Sequence, residues 1–132
     1  ILKHAPSGFL STVKRKVTAT CGIVIDVSAS KLKASQYDHT SDTYEKVSLS
    51  DREKIIDGHM VQRDCYSSLI IFYATDENKP DREGCLNGFE KFLVCQDELI
   101  EEMIHDKFNN PNFGTKLINI KKQRLRKESA VA

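Results

Sequence analysis

The sequence predicts one small, helix-rich α/β domain with a short strand and a β-hairpin. Its 132 residues suffice for one hydrophobic core, and two independent domains are not expected. Two long segments carry apolar residues at helical spacing, one β-branched run is typical of a strand, and an Asp-Gly pair between apolar runs is typical of a hairpin turn. The sequence begins at Ile1 without an initiator Met and shows neither a secretion signal nor a membrane span. We therefore expect a cytoplasmic fragment of a longer protein, with no membrane partner.

The first predicted helix covers residues 6–21, with Ser7 as its N-cap and Gly22 just beyond its end. Its apolar residues at helical spacing are Phe9, Leu10, Val13 and Val17. The β-branched run Ile23–Val27 indicates a strand that is buried on both faces except at Asp26 and that needs a neighbouring strand. Since a carboxylate amid apolar residues is costly unless it is paired or liganded, Asp26 is either a metal-ligand candidate or an edge residue that faces solvent.

The middle of the chain predicts a loop followed by a hairpin. Residues 28–50 are dominated by Ser, Thr, Asp and Lys, which predicts a long surface loop that buries little. Residues 54–61 predict a hairpin, because Asp57 and Gly58 can adopt the positive φ angles that a type I′ turn requires.

Two amphipathic helices are predicted next, over residues 63–75 and from about residue 81 to residue 108. Asp64 therefore lies in a first helical turn. The residues expected to face the core are Tyr66, Leu69, Ile70 and Tyr73 in the first helix and Leu86, Phe89, Phe92, Leu93, Gln96, Leu99, Ile100 and Met103 in the second. Residues 109–132 are expected to form a disordered basic tail.

The net charge of +1 hides an uneven distribution. Residues 1–40 hold six Lys or Arg against two Asp or Glu, residues 41–115 hold eight against sixteen, and residues 116–132 hold six against one. Basic ends that contact phosphates around an acidic centre that holds cations are one interpretation, and solvated faces with a loose tail are the other. The basic candidates for phosphate contact are Lys14, Arg15, Lys16, Lys121, Lys122, Arg124, Arg126 and Lys127.

The four cysteines occur singly, at positions 21, 65, 85 and 95. Because no Cys-x-x-Cys pair is present, we expect buried free thiols and no zinc site.

Several segments together resemble the C-terminal region of the TnpB family of transposon proteins. These segments are Gly8–Leu10, Lys14–Val17, Ser35–Thr40, Leu49–Arg52 and Asp57–Ser67. The resemblance covers roughly residues 5–75. It departs from the family where many members carry two Cys-x-x-Cys pairs, so residues 28–50 would stand in place of a zinc ribbon. Glu53, Cys65 and Ser68 also differ from the usual residues.

The resemblance implies the C-terminal portion of an RNase H-like (RuvC) nuclease domain, over residues 1–108. Members of the family are RNA-guided DNA endonucleases whose active site combines three separated acidic residues, and Asp64 matches the third. Carboxylates that converge from different elements are the ligands that Mg²⁺ requires for phosphodiester cleavage. From position alone, Asp64 is an ordinary carboxylate stabilised by the helix macrodipole.

Other residues near the motif have open interpretations. Arg63 is either a bidentate phosphate ligand or part of a surface salt bridge. His39 is either a group that orients water or phosphate or an ordinary surface residue, and His59 is expected to be structural. Tyr37 and Tyr44 offer ring faces for base stacking.

Two hypotheses about function follow. In the first, the parent protein is a Mg²⁺-dependent, RNA-guided DNA endonuclease that binds DNA and guide RNA, and this chain is inactive without the remainder of the polypeptide. In the second, the chain is a non-catalytic module that binds nucleic acid or another subunit and was left by a truncated transposon gene.

Overall fold

The computed structural model describes residues 5–105, 126 and 129–131. The elements of the described part are α1 (Ala5–Ala19), α2 (Ala29–Leu32), β1 (Tyr37–Asp38), β2 (Thr43–Tyr44), β3 (Glu53–Ile56), β4 (His59–Gln62), α3 (Arg63–Phe72) and α4 (Arg82–His105). This order confirms a small, helix-rich α/β protein. No helix in these residues is long and apolar enough to cross a membrane. Where the sequence predicts a disordered tail, Arg126 and residues 129–131 are helical, and the rest of the tail lies outside the described residues.

Strands β3 and β4 form the predicted antiparallel hairpin, in which Ile56 pairs with His59. Asp57 and Gly58 connect the strands with φ angles of 47° and 67°, as a type I′ turn requires. The hairpin prediction is confirmed. Because α3 begins at the residue after β4, the turn also fixes where the first turn of α3 lies.

The hydrophobic core lies between this hairpin, α3 and α4. The hairpin and α3 contribute the fully buried residues Ile56, Val61, Tyr66 and Ile70, and α4 contributes Cys85, Phe89, Leu93 and Ile100. Burying an apolar side chain of this size stabilises the fold by roughly 1.5–3 kcal/mol. The predicted core face of α4 is confirmed in part, since Leu86 and Leu99 are exposed and Cys85 takes a core position instead.

Two glycines let α4 approach the end of α3 closely. A Cβ atom at Gly84 would lie 2.5 Å from Tyr73 Cδ1, and one at Gly88 would lie 2.5 Å from the Tyr73 hydroxyl oxygen. The Tyr73 ring therefore spans the helix face between the two glycines. Glycine lowers the stability of a helix relative to alanine. In α4 the two glycines make room for the Tyr73 ring.

Helix α1 ends in a Schellman motif. Cys21 adopts a left-handed φ of 57°, the Gly22 N–H donates to the Val17 carbonyl at 2.9 Å, and the Cys21 N–H donates to the Thr18 carbonyl at 3.1 Å. The predicted helix is confirmed. Its predicted N-cap is wrong, because α1 begins at Ala5 and Ser7 lies inside it.

The run Ile23–Val27 pairs with no strand of the described residues. Ile23 is 87% exposed and Ile25 is 52% exposed, so the prediction of a strand buried on both faces is wrong. The exposed Asp26 carboxylate accepts a hydrogen bond from Lys14 Nζ at 2.6 Å, which joins the run to α1. A β-branched run forms a strand only where another strand pairs with its backbone, and the described part of the chain supplies none.

Residues 28–50 contain more regular structure than a surface loop. Helix α2 and the β1–β2 hairpin lie there, and both Tyr37 and His39 are buried. The prediction of a segment that buries little is therefore wrong. Its polar groups bond to one another, since the Asp38 carboxylate accepts hydrogen bonds from the Thr40 N–H at 2.9 Å and the Thr40 hydroxyl at 2.7 Å.

The four cysteines are free thiols in unequal surroundings. Cys85 is buried, Cys65 is half-buried, and Cys21 and Cys95 are exposed. The expected burial is confirmed at Cys85 alone. Burial raises the pKa of Cys85 to about 11, so its thiol is a neutral packing group.

Candidate functional site

Asp64 lies in the first turn of α3, as the sequence predicts. Gln62, two residues before Asp64, is the N-cap of α3. Its side-chain Oε1 accepts a hydrogen bond from the Cys65 N–H at 2.7 Å. Tyr66 and Ile70 then bury the opposite face of the helix. Because α3 is fixed by its cap and by its core face, the backbone that carries Asp64 is held in place.

The Asp64 carboxylate faces nitrogen donors. Gln62 Nε2 donates to Oδ2 at 3.3 Å, Arg52 Nη1 lies 3.8 Å from Oδ2, and Arg63 Nε lies 3.9 Å from Oδ1. The Asp64 side chain is 55% exposed. Ion pairs this long and this exposed stabilise a protein little, so the carboxylate stays accessible to a cation from solvent.

Arg63 is a buried residue, whereas both interpretations from the sequence place it at the surface. Its side chain is only 9% exposed, and Nη1 donates to the Ser48 carbonyl at 3.0 Å. Its Nε is buried without a hydrogen-bond partner in the described part of the chain. This geometry suits a residue that ties the 48–52 segment to α3, and contact with a phosphate would require the guanidinium to move.

A buried amide pair connects this junction to α4. The Gln62 N–H donates to Gln96 Oε1 at 2.8 Å, and Gln96 Nε2 lies 3.5 Å from the Met60 carbonyl. Both glutamines are at most 3% exposed. Sequence reasoning placed Gln96 on the core face without assigning it a partner. The only available signal was a polar residue at an apolar position of the helical repeat.

His39 is a core residue, so its expected surface position is wrong. The Tyr66 hydroxyl lies 2.8 Å from Nδ1 and accepts from the His39 backbone N–H at 3.2 Å. The other ring nitrogen, Nε2, is buried and has no hydrogen-bond partner among the described residues. The ring packs 4.7 Å from Phe89, and burial lowers the pKa of His39. His39 is a neutral structural residue in this arrangement.

Arg82 and Lys54, which sequence reasoning did not single out, hold the segment around His39. Arg82 Nε donates to the His39 carbonyl at 2.9 Å, and Arg82 Nη2 donates to the Thr40 carbonyl at 2.9 Å. Lys54 Nζ donates to the Tyr37 carbonyl at 3.1 Å. Tyr37 is itself buried, with its hydroxyl donating to an aspartate at 2.8 Å, so its ring is not open to a base. The Tyr44 ring remains half-exposed.

The predicted basic candidates fall into three groups. Lys14 pairs with Asp26, and its neighbours Arg15 and Lys16 are exposed on α1. Arg126 is exposed. The remaining candidates, Lys121, Lys122, Arg124 and Lys127, lie outside the described residues.

Within the described residues, no three His, Cys, Asp or Glu side chains come together as a metal-binding group. The Asp64 carboxylate has the oxygen chemistry that Mg²⁺ prefers, but it would supply one ligand of a site. The other acidic candidate from the sequence, Asp26, is paired with Lys14. The described residues therefore fit part of a magnesium site and not a whole one.

No protein-family model matches the chain, and no curated protein or solved structure is significantly similar to it.

Proposed function

We propose that the chain is the C-terminal part of an RNase H-like (RuvC) domain in a transposon-encoded, Mg²⁺-dependent, RNA-guided DNA endonuclease of the TnpB type. Asp64 would be one of its metal-binding carboxylates. The partners would be DNA, a guide RNA and the remainder of the polypeptide, in the cytoplasm. The 132 residues alone would be inactive, because one carboxylate cannot hold the metals that the reaction needs.

The observation that carries this proposal is the setting of Asp64. Its carboxylate is half-exposed, while the residues that hold it, Gln62 and Arg63, are buried. Functional carboxylates need a rigid support and an open face, and Asp64 has both. The resemblance of residues 57–67 to the third acidic motif of the family supports a metal-binding role for this carboxylate.

The exposed apolar surface of the N-terminal segment supports the RNase H-like part of the proposal. Phe9 is 68% exposed and Ile23 is 87% exposed, although both lie in apolar segments with clear periodicity or β-branching. A domain that lacks the central part of its sheet would leave such a helix and run uncovered.

A second candidate is a non-catalytic module that binds nucleic acid or another subunit. It is favoured by the charge around Asp64, where the nearest charged groups are Arg52 and Arg63. In this function the three side chains form a structural ion-pair cluster, and loss of the Asp64 charge leaves binding unchanged.

The test is the isosteric change Asp64→Asn in the full-length protein. We expect Mg²⁺-dependent DNA cleavage to fall by at least about a thousandfold, while nucleic-acid affinity changes little, because only the metal ligand is altered. Asp76→Asn is the matched control, since Asp76 is exposed in the turn between α3 and α4. Cleavage by Asp64→Asn at the rate of the control would refute the metal-binding role of Asp64. Absence of Mg²⁺-dependent cleavage in both the control and the unsubstituted protein would refute the nuclease proposal and leave the module.

A further inference from the structure

A cavity of about 430 Å³ lies between the α2 segment and α3, on a part of the surface that the proposed nuclease site does not use. Val27, Leu32 and Ile71 form its apolar lining, and Lys33, Ser35 and Gln36 contribute polar groups. Its volume falls within the roughly 300–1,000 Å³ of ligand sites, and an apolar lining with a few polar groups is typical of them.

Three polar side chains of this cavity have no partner within the described residues, whereas the lining hydroxyls of Ser30 and Ser67 are bonded to Ser28 and to the Arg63 carbonyl. Within residues 5–105, the Lys33 ammonium forms no ion pair, and the side chains of Ser35 and Gln36 form no hydrogen bond. The segment from Val27 to Gln36 holds two lysines and no acidic residue. Its charge complements an anionic ligand, and phosphate oxygens are the acceptors that an ammonium, a hydroxyl and an amide can share.

The backbone at Lys33 makes this lysine suitable for a clean test. Lys33 is the C-cap of α2 and has a left-handed φ of 48°, a conformation that favours glycine and costs another residue about 1 kcal/mol. Lys33→Gly therefore removes the ammonium without straining the turn.

We propose that this cavity binds one nucleotide of a single-stranded nucleic acid, with its phosphate on Lys33 and its sugar or base against Val27 and Ile71. A single strand is favoured over a duplex because the apolar lining is concave and can receive a base only when that base is unstacked. The Ile71 side chain is 53% exposed beside the cavity, which leaves apolar surface for such a contact. This inference rests on the proposed function, since it names where that protein would hold a strand.

The experiment uses the full 132-residue chain and a fluorescent thymidine oligonucleotide of about 12 nucleotides, a length within the usual site sizes of single-strand-binding proteins. We expect Lys33→Gly to weaken binding about tenfold and to lower the slope of log K against log salt by about 0.7, because one phosphate contact is lost. The same change relieves the left-handed strain. The thermal midpoint should therefore stay the same or rise, and misfolding cannot explain the loss.

Two further variants complete the design. Lys33→Arg keeps the charge and should retain most of the affinity for the oligonucleotide. Lys91→Gln removes an equal charge from an exposed position on α4 and should change that affinity less than twofold. Amide shifts on titration should concentrate at residues 27–36, 67 and 71.

Three outcomes would overturn the inference: Lys33→Gly that binds like the wild type, shifts confined to α1 and the C-terminal residues, or a duplex that competes equally well. Binding of an unphosphorylated peptide in the cavity with no oligonucleotide binding would also refute it. These results are separate from the cleavage test, because a full-length protein that cleaves no DNA but binds the oligonucleotide through Lys33 removes the nuclease and leaves the cavity assignment standing.

Discussion

The N-terminal arm, α1 with residues 23–27, and the body, formed by β3–β4, α3 and α4, use similar apolar residues in opposite ways. In the body, Ile56 and Ile70 are completely buried, and the strongest packing joins the hairpin and the two helices. In the arm, Ile23 and Ile25 are mostly exposed, and α1 has no comparable packing against the other described elements. An apolar pattern therefore predicted the helices of both regions, but burial, and strand pairing for residues 23–27, depend on whether the rest of the chain supplies a surface to cover them.

The energetic consequence is that the two regions should respond differently to the same chemical change. Truncating a buried side chain of the body loses its transfer free energy and leaves a cavity, and both effects lower stability. Truncating an exposed side chain of the arm causes neither effect in full. Matched substitutions in the two regions test this directly.

The largest difference is expected for isoleucine truncation. Ile70→Ala removes a completely buried side chain and should lower the free energy of unfolding by roughly 2–5 kcal/mol. Ile25→Ala removes the same atoms from a residue that is 52% exposed, and its effect should stay within about 0.5 kcal/mol. Urea denaturation followed by circular dichroism measures both. A loss of more than about 2 kcal/mol for Ile25→Ala would mean that the arm packs in solution.

Glycine substitution should change stability in opposite directions in the two regions. In Gly88→Ala the new methyl group would lie 2.5–2.8 Å from atoms of the Tyr73 side chain, which must shift, and we expect a loss of about 1–3 kcal/mol. In Gly8→Ala the new methyl meets nothing within 4 Å, so helix propensity should stabilise α1 by up to about 1 kcal/mol. Amide exchange reports the opening free energy of each helix separately. Equal and favourable effects at both positions would show that Tyr73 can move aside at no cost.

Local signals in the sequence account for the elements of the body and for the position of Asp64. The Asp57-Gly58 pair determined the turn, and the helical spacing of Tyr66, Leu69 and Ile70 determined α3, so Asp64 was expected in a first turn. These signals work because each depends on neighbours in the sequence. The helix of the arm was predictable for the same reason.

The environment of Asp64 could not be predicted in this way. The burial of Arg63 against the Ser48 carbonyl and the bond between Gln62 and Gln96 join residues that are 15 and 34 positions apart. Composition is a poor guide to residues 28–50, because their polar residues predict a loop whereas tertiary contacts bury His39. Which partner a polar group finds is a property of the folded chain, because many partners are available to it in the sequence.

The smallest expected effect is a pH dependence of stability that arises from a histidine of the body and not from the arm. Burial holds the pKa of His39 below its ordinary value of 6.5, so the unfolded chain binds a proton at a higher pH than the folded chain does. The stability that depends on neutral His39 is complete above about pH 6.5 and is lost as the pH falls toward the lowered pKa.

His39 is buried against Tyr66 and Phe89 of the body, whereas the Lys14–Asp26 pair of the arm is exposed and contributes little. Urea midpoints should therefore fall between about pH 7.5 and 5.5 in the wild type and much less in His39→Gln, while the Cα shifts of α1 stay constant. An identical slope in the variant would assign the pH dependence to another group.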